Sequence, residues 1–336
     1  MTNSALPVSV VIPAYNAAPF LSGAIASVNA QTSPASELLV VDDGSSDETA
    51  HVARAAGATV IRQSNGGAGA ARNAGVRAAS HPWIAFLDAD DRWHPDKLAS
   101  QWAAHQLRPD VAVIASDYLL LGMARAEPFA VLPLHRAYGA TPRTGLGGEA
   151  VFLERHAVAR TLPSGQFLCP STLLVSRALI LEDAPFRAAA ELPSDELCHV
   201  AEDFEWALRA LRFSDIIVLE RPLVDYTLRP GSLSSSAGRQ RYGDVKLGEF
   251  VARNPAAYPS ESLAVFRAER PRKQREAALE FLRSREPRKA QAILREALRE
   301  RGRLDDAALF GLASALGTPA GDAAFGALRS LWRSRP

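Results

Sequence analysis

The stretch "WIAFLDADDRW", Trp83 to Trp93, carries an apolar run straight into a turn that holds Asp88, Asp90 and Asp91. Apolar β-formers that end abruptly in carboxylates describe a buried strand whose C-terminal end opens onto solvent or a ligand. Like charges this close repel unless a cation sits among them. Carboxylates are hard oxygen donors, and Mg²⁺ or Mn²⁺ is the hard cation that takes few of them while keeping water and phosphate oxygens in its shell. A nucleotide diphosphate would complete such a shell. The plainer alternative is a solvated acidic turn that caps the helix beginning near Pro95, and the turn by itself does not choose between the two.

On both sides of this turn, short β-branched runs alternate with Ala-rich helical stretches. "VSVVI", a helix from about Phe20 to Asn29, "ELLVV", a helix after Asp47, "ATVIR" and a helix around Ala70 to Ala79 precede it, and "PDKLASQWAAHQL" and "DVAVIAS" follow as helix and strand. The alternation predicts an α/β domain with a largely parallel central sheet flanked by helices. Ligands of such sheets sit beyond the carboxyl ends of the strands, where loops converge. Residues 122 to 165 scatter Pro and Gly among apolar pieces and are assigned only as an insertion or acceptor-side region. Order returns with "PSTLLVS", with "AEDFEWALRALRF" as a helix and with "DIIVLERPLVDYTL" as edge strands. "RPGSLSSSAGRQR" is loop by composition, and beyond about Asp244 the chain reads as helices alone.

The same sheet edge gathers further chemistry. In "VVDDGSSDET", Asp42 and Asp43 end the second strand, Gly44 permits a tight turn and Asp47 can cap the next helix. A carboxylate there can accept hydrogen bonds from a base N–H or from ribose hydroxyls, although Asp-Gly-Ser is also ordinary turn chemistry. "PAYN", Pro13 to Asn16, ends the first strand with an aromatic ring placed to flank a base, or serving simply as a loop tyrosine. "GGAGAARNAG" brings Arg72 and Asn73 to a helix start between the acidic turns.

In that order and spacing, "VSVVIPAYN", "LLVVDDGSSDET", "GGAGAARNAG" and "WIAFLDADDRWHPDKL" strongly resemble the nucleotide-binding half of the family 2 glycosyltransferases. The resemblance is close over about residues 6 to 120 and continues more weakly to about Ser236 through "PSTLLVSR", "AEDFEWALR" and "YTLRPGSLS". It implies a GT-A catalytic domain over residues 1–240, with a nucleotide-sugar half (1–120) and an acceptor half (121–240), followed by an all-helical C-terminal region (241–336). It also implies a metal-dependent, inverting transfer of a sugar from a UDP, dTDP or GDP donor to a hydroxyl acceptor, a glycan or lipid-linked glycan, in polysaccharide, lipopolysaccharide or other glycan synthesis.

Laid on matching positions, the resemblance makes Asp43 the carboxylate that reads the nucleobase, with Pro13, Ala14, Tyr15 and Asn16 lining the same pocket and Asp42 beside it. Asp88 and Asp90, flanking Ala89, occupy the family's Asp-x-Asp, which touches ribose and metal. Asp90 is favoured as the metal contact, and Asp91 is an equally placed ligand. Arg72 and Asn73 match the family's "ARN", at the diphosphate or only in fixing loop geometry. Asp203 matches the catalytic base, needed because an attacking hydroxyl must lose its proton, and Glu202 would orient Asp203 or the acceptor. A charged first helical turn favoured by the macrodipole is the other role open to both. Thr227 and Arg229 stand where many members have an arginine and a histidine. Arg229 can still clamp phosphate, but the metal-binding histidine is absent.

The totals agree with an enzyme of ordinary composition. A chain of 336 residues, 47% apolar and 22% charged, is long enough for one large domain and an appendage. Cys169 and Cys198 lack a Cys-x-x-Cys or His partner, which argues against structural zinc and a disulfide scaffold. Both are expected to be buried small apolar residues in a reducing compartment. The first strand begins too early for a signal peptide, and no apolar stretch approaches the ~18 residues of a spanning helix. A cytoplasmic protein is therefore expected, with peripheral contact at the inner membrane face as a further option.

The net charge of +1 hides an asymmetry: residues 1–266 carry 22 Lys/Arg and 28 Asp/Glu, whereas residues 267–303 carry 13 and 6. The default reading of that basic segment is helices packed on the catalytic domain with solvated charge outside. The sharper one is a surface for anionic lipid headgroups, at ~1 kcal/mol per well-placed basic residue. Nucleic-acid binding is disfavoured, because aromatic interleaving is lacking.

Three other classes are disfavoured by the same stretches. A nucleotidyltransferase would need a Gly-rich, basic triphosphate loop after the first strand, where "PAYNAAPF" stands. A dehydrogenase would need Gly-x-Gly-x-x-Gly there. A catalytically silent sugar-nucleotide or glycan-binding module would not need Asp88, Asp90 and Asp203 together.

Overall fold

Val8, Val10 and Ile12 are fully buried on one side of the first strand, against Leu21 and Ile25, while Val11 points to the other side. That two-residue period with both faces covered is what places β1 (Leu6–Ala14) at the centre of a sheet with helices above and below. The computed structural model describes residues 5–121, 126–127, 143–164, 168–198, 200–229, 236–301, 311 and 313.

Around β1 lie β2 (Ala35–Asp42), β3 (Thr59–Arg62) and β4 (Trp83–Phe86), all parallel. The helices α1 (Ala18–Asn29), α2 (Thr49–Ala55) and α3 (Ala68–Ala78) make the crossovers. These are the elements expected from the motifs, shifted by a residue or two at their ends. The chain continues through β5 (Arg92–Trp93), α4 (Lys97–Leu107), β6 (Val113–Leu121), β7 (Ala126–Glu127), β8 (Arg143–Gly147), β9 (Ala150–Leu153), α5 (Arg155–Thr161) and β10 (Leu174–Ser176). It then forms α6 (Glu202–Ala210), β11 (Ile216–Thr227), α7 (Ala237–Arg253), α8 (Ser260–Arg283) and α9 (Pro287–Arg301).

Among the described residues the strands form one 11-stranded sheet in the order β3-β2-β1-β4-β10-β6-β11-β9-β8, with β5 on β11 and β7 on β6. It is parallel through its first four strands and mixed beyond, because β10 runs antiparallel to both β4 and β6. The stretch expected as edge strands, "DIIVLERPLVDYTL", is instead interior. β11 is flanked by β6 in parallel and by β9 in antiparallel pairing, and its first four residues are buried. Glu220 and Arg221, in the middle of the strand, fall at a register shift in the β6 pairing, between Leu219 and Pro222.

Contacts divide the chain into two units. One comprises 1–192, 201–232 and 251–265, and the other 193–200, 233–250 and 266–336. Within the second, Tyr242, Val245, Ala277, Phe281, Ile293 and Leu294 form a separate apolar core. The residue-240 boundary drawn from the sequence falls inside α7. Residues 230–235 of the "RPGSLSSS" loop, most of the unread 122–142 stretch and nearly all of the tail beyond 301 lie outside the described residues.

Candidate active site

The carboxyl ends of β1 and β2 meet through Asp43, whose N–H donates to Ala14 O at 2.9 Å. Both Asp43 oxygens face inward: Oδ1 accepts from Gln63 Nε2 (2.7 Å) and Gly66 N (2.9 Å), and Oδ2 from Gly67 N (2.8 Å). Gly67 takes φ +84°, a left-handed value that glycine alone adopts cheaply, so the carboxylate shapes the turn that starts α3. Asp42 is buried, accepts from Ser45 N (2.9 Å) and pairs with Arg62 (2.9 Å). Asn16, itself left-handed at φ 48°, is held by Ser45 and Ser46. Asp47 accepts from Thr49 N at 3.0 Å, so it serves the start of α2 from outside the helix. Tyr15 is 53% exposed.

Arg72 joins α3 and the acidic turn to α6. Its guanidinium, 3% exposed, donates to Asp88 Oδ1 at 2.7 Å and to Glu202 Oε1 at 2.5 Å, and lies over the Phe186 ring. Asn73 instead pins the backbone of Phe186, donating to its carbonyl (2.7 Å) and accepting from its N–H (2.9 Å). Residues 130 apart in sequence are thereby brought together. α6 is oriented from behind by Glu205, fully buried, which accepts from Arg187 (3.0 Å), Arg209 (2.6 Å) and Tyr258 (2.6 Å). Glu205 was not singled out from the sequence. Its i,i+4 spacing to Arg209 was the available signal.

The acidic turn is fixed by a residue the sequence reading also missed. Ser171 Oγ accepts from Asp88 N at 3.0 Å and donates to Asp91 Oδ2 at 2.6 Å. Asp91 Oδ1 accepts from Thr227 N at 2.9 Å, and two residues on Arg229 Nε donates to Asp90 Oδ2 at 2.6 Å. The turn after β4 is thus tied to the end of β11.

Electrostatically this is a crowded anionic site. Burial raises the Asp88 pKa, with Asp90 and Glu202 adding to it and Arg72 opposing. Asp91 is pushed well up by burial and by Asp88, against its hydrogen bonds from Ser171 and Thr227. Burial would lower the Arg72 pKa, but Asp88, Glu202 and Asp203 hold it above its ordinary value. The Tyr118 phenol on β6 is raised by burial and by Cys169, Asp117, Asp203 and Asp91, which puts Asp203 in the same neighbourhood.

Carboxylates of Asp88, Asp90, Asp91, Glu202 and Asp203 therefore stand against Arg72 and Arg229. Surplus negative charge of this kind is what a hard dication offsets, and ligand atoms of Asp88, Asp91 and Cys169 lie within 4.8 Å of one another. The carboxylates of the acidic turn are hard oxygen donors of the kind a divalent cation takes. Cys198 is buried as expected, but Cys169 is only partly so. Its thiol is part of the acidic crevice, where burial and the neighbouring aspartates raise its pKa well above the ordinary range. No helix among the described residues is long and apolar enough to cross a membrane.

Comparison with known proteins places this arrangement. The profile described as glycosyl transferase family 2 matches residues 9–120. The succinoglycan biosynthesis protein ExoW of Rhizobium meliloti is 46% identical over 103 residues, 28% of this chain and 32% of that protein. An uncharacterized glycosyltransferase of Nostoc sp. is 46% identical over 99 residues, 28% of this chain and 31% of that one. The matched segments thus span about a third of these relatives' length.

Solved structures align over far more of the chain. TarS 1-349 of S. aureus in complex with UDP-GlcNAc has a TM-score of 0.56 at 22% identity, covering 92% of this chain and 79% of that one. The mannosyltransferase PcManGT from Pyrobaculum calidifontis, in complex with GDP-Man and Mn²⁺, has a TM-score of 0.55 at 19% identity, covering 99% and 89%. At these identities the likeness speaks for the fold, the GT-A type expected from the motifs. Residues 9–120 are thus a segment of the glycosyl transferase family 2 kind, set in a chain whose fold is like that of these solved structures.

Proposed function

We propose that the protein is an inverting glycosyltransferase, dependent on Mn²⁺ or Mg²⁺, that moves a hexose or related sugar from a nucleoside diphosphate donor to a hydroxyl of a glycan or lipid-linked glycan. One observation carries the proposal: Arg72 binds Asp88 of the acidic turn and Glu202 of α6 at once, so the donor-side carboxylates and the Glu202–Asp203 pair share one crevice. A relative named for succinoglycan biosynthesis supports a glycan product, and fold neighbours in complex with UDP-GlcNAc and with GDP-Man support the donor class.

In this reading Tyr15 stacks on the base and Asp43 shapes its pocket by holding residues 63–67. Asp88 and Asp90 would hold the metal, and Arg229, now on Asp90, is placed to exchange that carboxylate for the donor diphosphate. The cation would act as a Lewis acid that neutralises charge developing on the leaving diphosphate. Asp203 accepts the acceptor hydroxyl's proton while the acceptor oxygen bonds to the anomeric carbon and the bond to the β-phosphate oxygen breaks with its electron pair. Attack from the face opposite the nucleotide inverts the anomeric centre. Glu202, tied to Arg72, keeps the helix start in place.

The test is a donor and acceptor screen with Mn²⁺, Mg²⁺ or chelator, followed by two variants. Asp203→Asn is expected to bind donor normally and lose at least about a hundredfold in transfer, whereas Asp90→Ala should weaken metal-dependent donor binding itself. Undiminished turnover by Asp203→Asn would remove it as the base. Donor binding with neither transfer nor donor hydrolysis would favour the silent module.

A further inference from the structure

We infer that Ser171 is a positioning residue that sets the metal-binding geometry of the acidic turn, resting on the metal-dependent reading just given. The hydroxyl is fully buried and used in both directions, as acceptor from Asp88 N–H and as donor to Asp91 Oδ2. Asp91 then has both oxygens engaged, the second by the Thr227 amide, and its own N–H returns to Asp88 O at 3.1 Å. A closed ring of hydrogen bonds therefore joins Asp88, Asp91 and Ser171, and Thr227 extends it to the end of β11, two residues before Arg229.

In this ring Asp91 is the anchor. Asp88 and Asp90, whose recorded side-chain partners are the exchangeable guanidinium groups of Arg72 and Arg229, are the carboxylates that can turn to a cation. Ser171 does not itself meet the donor. The turn that carries it, Pro170–Thr172, is fixed independently, since Ser171 O accepts from Trp93 Nε1 (2.9 Å) and Thr172 O from Gln101 Nε2 (2.7 Å). Its side chain carries that rigidity to Asp88 and Asp91. Removing such a support behind a metal ligand typically costs tenfold to a hundredfold in metal affinity.

Thr172 supplies the control. It is equally buried in the same short turn, but its hydroxyl donates to Cys169 O, at 2.6 Å, and not to the acidic turn. Mn²⁺ binding is measured by the loss of the free-ion EPR signal, with UDP and with GDP, in the full chain without acceptor. Ser171→Ala should raise the Mn²⁺ dissociation constant at least about tenfold and raise equally the Mn²⁺ needed for half-maximal transfer. The turnover number at saturating metal should stay within about threefold. Thr172→Val should lower thermal stability yet leave Mn²⁺ binding within about threefold.

Should Ser171→Ala not fold, Ser171→Thr and Ser171→Val, equal in shape and different in the hydroxyl, carry the same comparison, with the Val form the weaker for Mn²⁺. Equal Mn²⁺ affinity in Ser171→Ala and the unmodified protein, or equal losses in both positions, overturns the inference. Absence of any nucleotide-dependent Mn²⁺ binding by the unmodified protein overturns instead the metal-dependent reading on which it rests.

Discussion

Asp117, on β6, shows how single side chains are tuned near this crevice without belonging to it. Burial, with Glu220 adding like charge and the Tyr118 amide opposing, pushes its pKa up to about 7. A carboxyl whose folded pKa lies above its unfolded value favours the native state in its neutral form. That contribution is complete below the unfolded carboxylate range and is lost as pH rises through about 7. The wild-type chain should therefore lose stability between pH 5 and pH 8, by at most on the order of 4 kcal/mol from this group. Asp117→Asn keeps an oxygen for the Tyr118 N–H, which Asp117 now receives at 2.8 Å, and carries no charge to bury. Urea unfolding should find the variant the more stable protein at pH 8, with the gap closing toward pH 5. A variant that is less stable at pH 8 would show that Asp117 is paid back by a partner in its ionised form.

Helix α3 is the element on which both the fold and the site depend, because its start carries the Gly66–Gly67 turn and its body carries Arg72 and Asn73. Its approach to the sheet is set at Gly75, where a Cβ would lie 2.3 Å from Val11 Cγ1 and 3.2 Å from Val41 Cγ2. Gly75→Ala should therefore cost about 1–3 kcal/mol through overpacking. Combined with Val11→Ala, which opens that space, it should cost clearly less than the sum of the two. Additive losses in a thermal or urea double-mutant cycle would place the strain elsewhere. This element, like β1, β2 and β4, was legible in the sequence because local signals agreed: apolar period, turn glycines and acidic strand ends. What was not legible depends on partners distant in sequence. Ser171 in "PST" looks like any turn serine until the fold sets it between Asp88 and Asp91. Cys169 looks like a core residue until two aspartates fall beside it. β11 reads as an edge because its polar residues lie at register shifts that only its neighbours define.

At the scale of the whole chain the question is what the positive charge of residues 267–303 does. The C-terminal unit uses much of it internally. Arg270 reaches Glu249 (2.7 Å), Glu296 (3.0 Å) and Glu300 (2.6 Å), and Lys246 also meets Glu249 and Glu296. Lys273, 2% exposed, is held by Asp244 at 2.8 Å, while Arg272 and Arg283 pair along their own helix and Lys289 pairs with Glu286, just before α9. A guanidinium bound to three carboxylates cannot meet a lipid phosphate without breaking those contacts. Each free basic residue near an anionic surface yields only ~1 kcal/mol, and salt screens that further. The pairing therefore favours an intramolecular role over a membrane-binding face. Vesicles of phosphatidylcholine with roughly a third phosphatidylserine, at an ionic strength of about 0.15 M, should retain no more protein on sedimentation than neutral vesicles do. Arg270→Ala should instead lower the unfolding temperature, since it leaves Glu249, Glu296 and Glu300 facing one another. Strong retention by anionic vesicles, reduced by Arg270→Ala without loss of stability, would reverse this assignment and make the C-terminal helices the part of the chain that brings the active site to a lipid-linked acceptor.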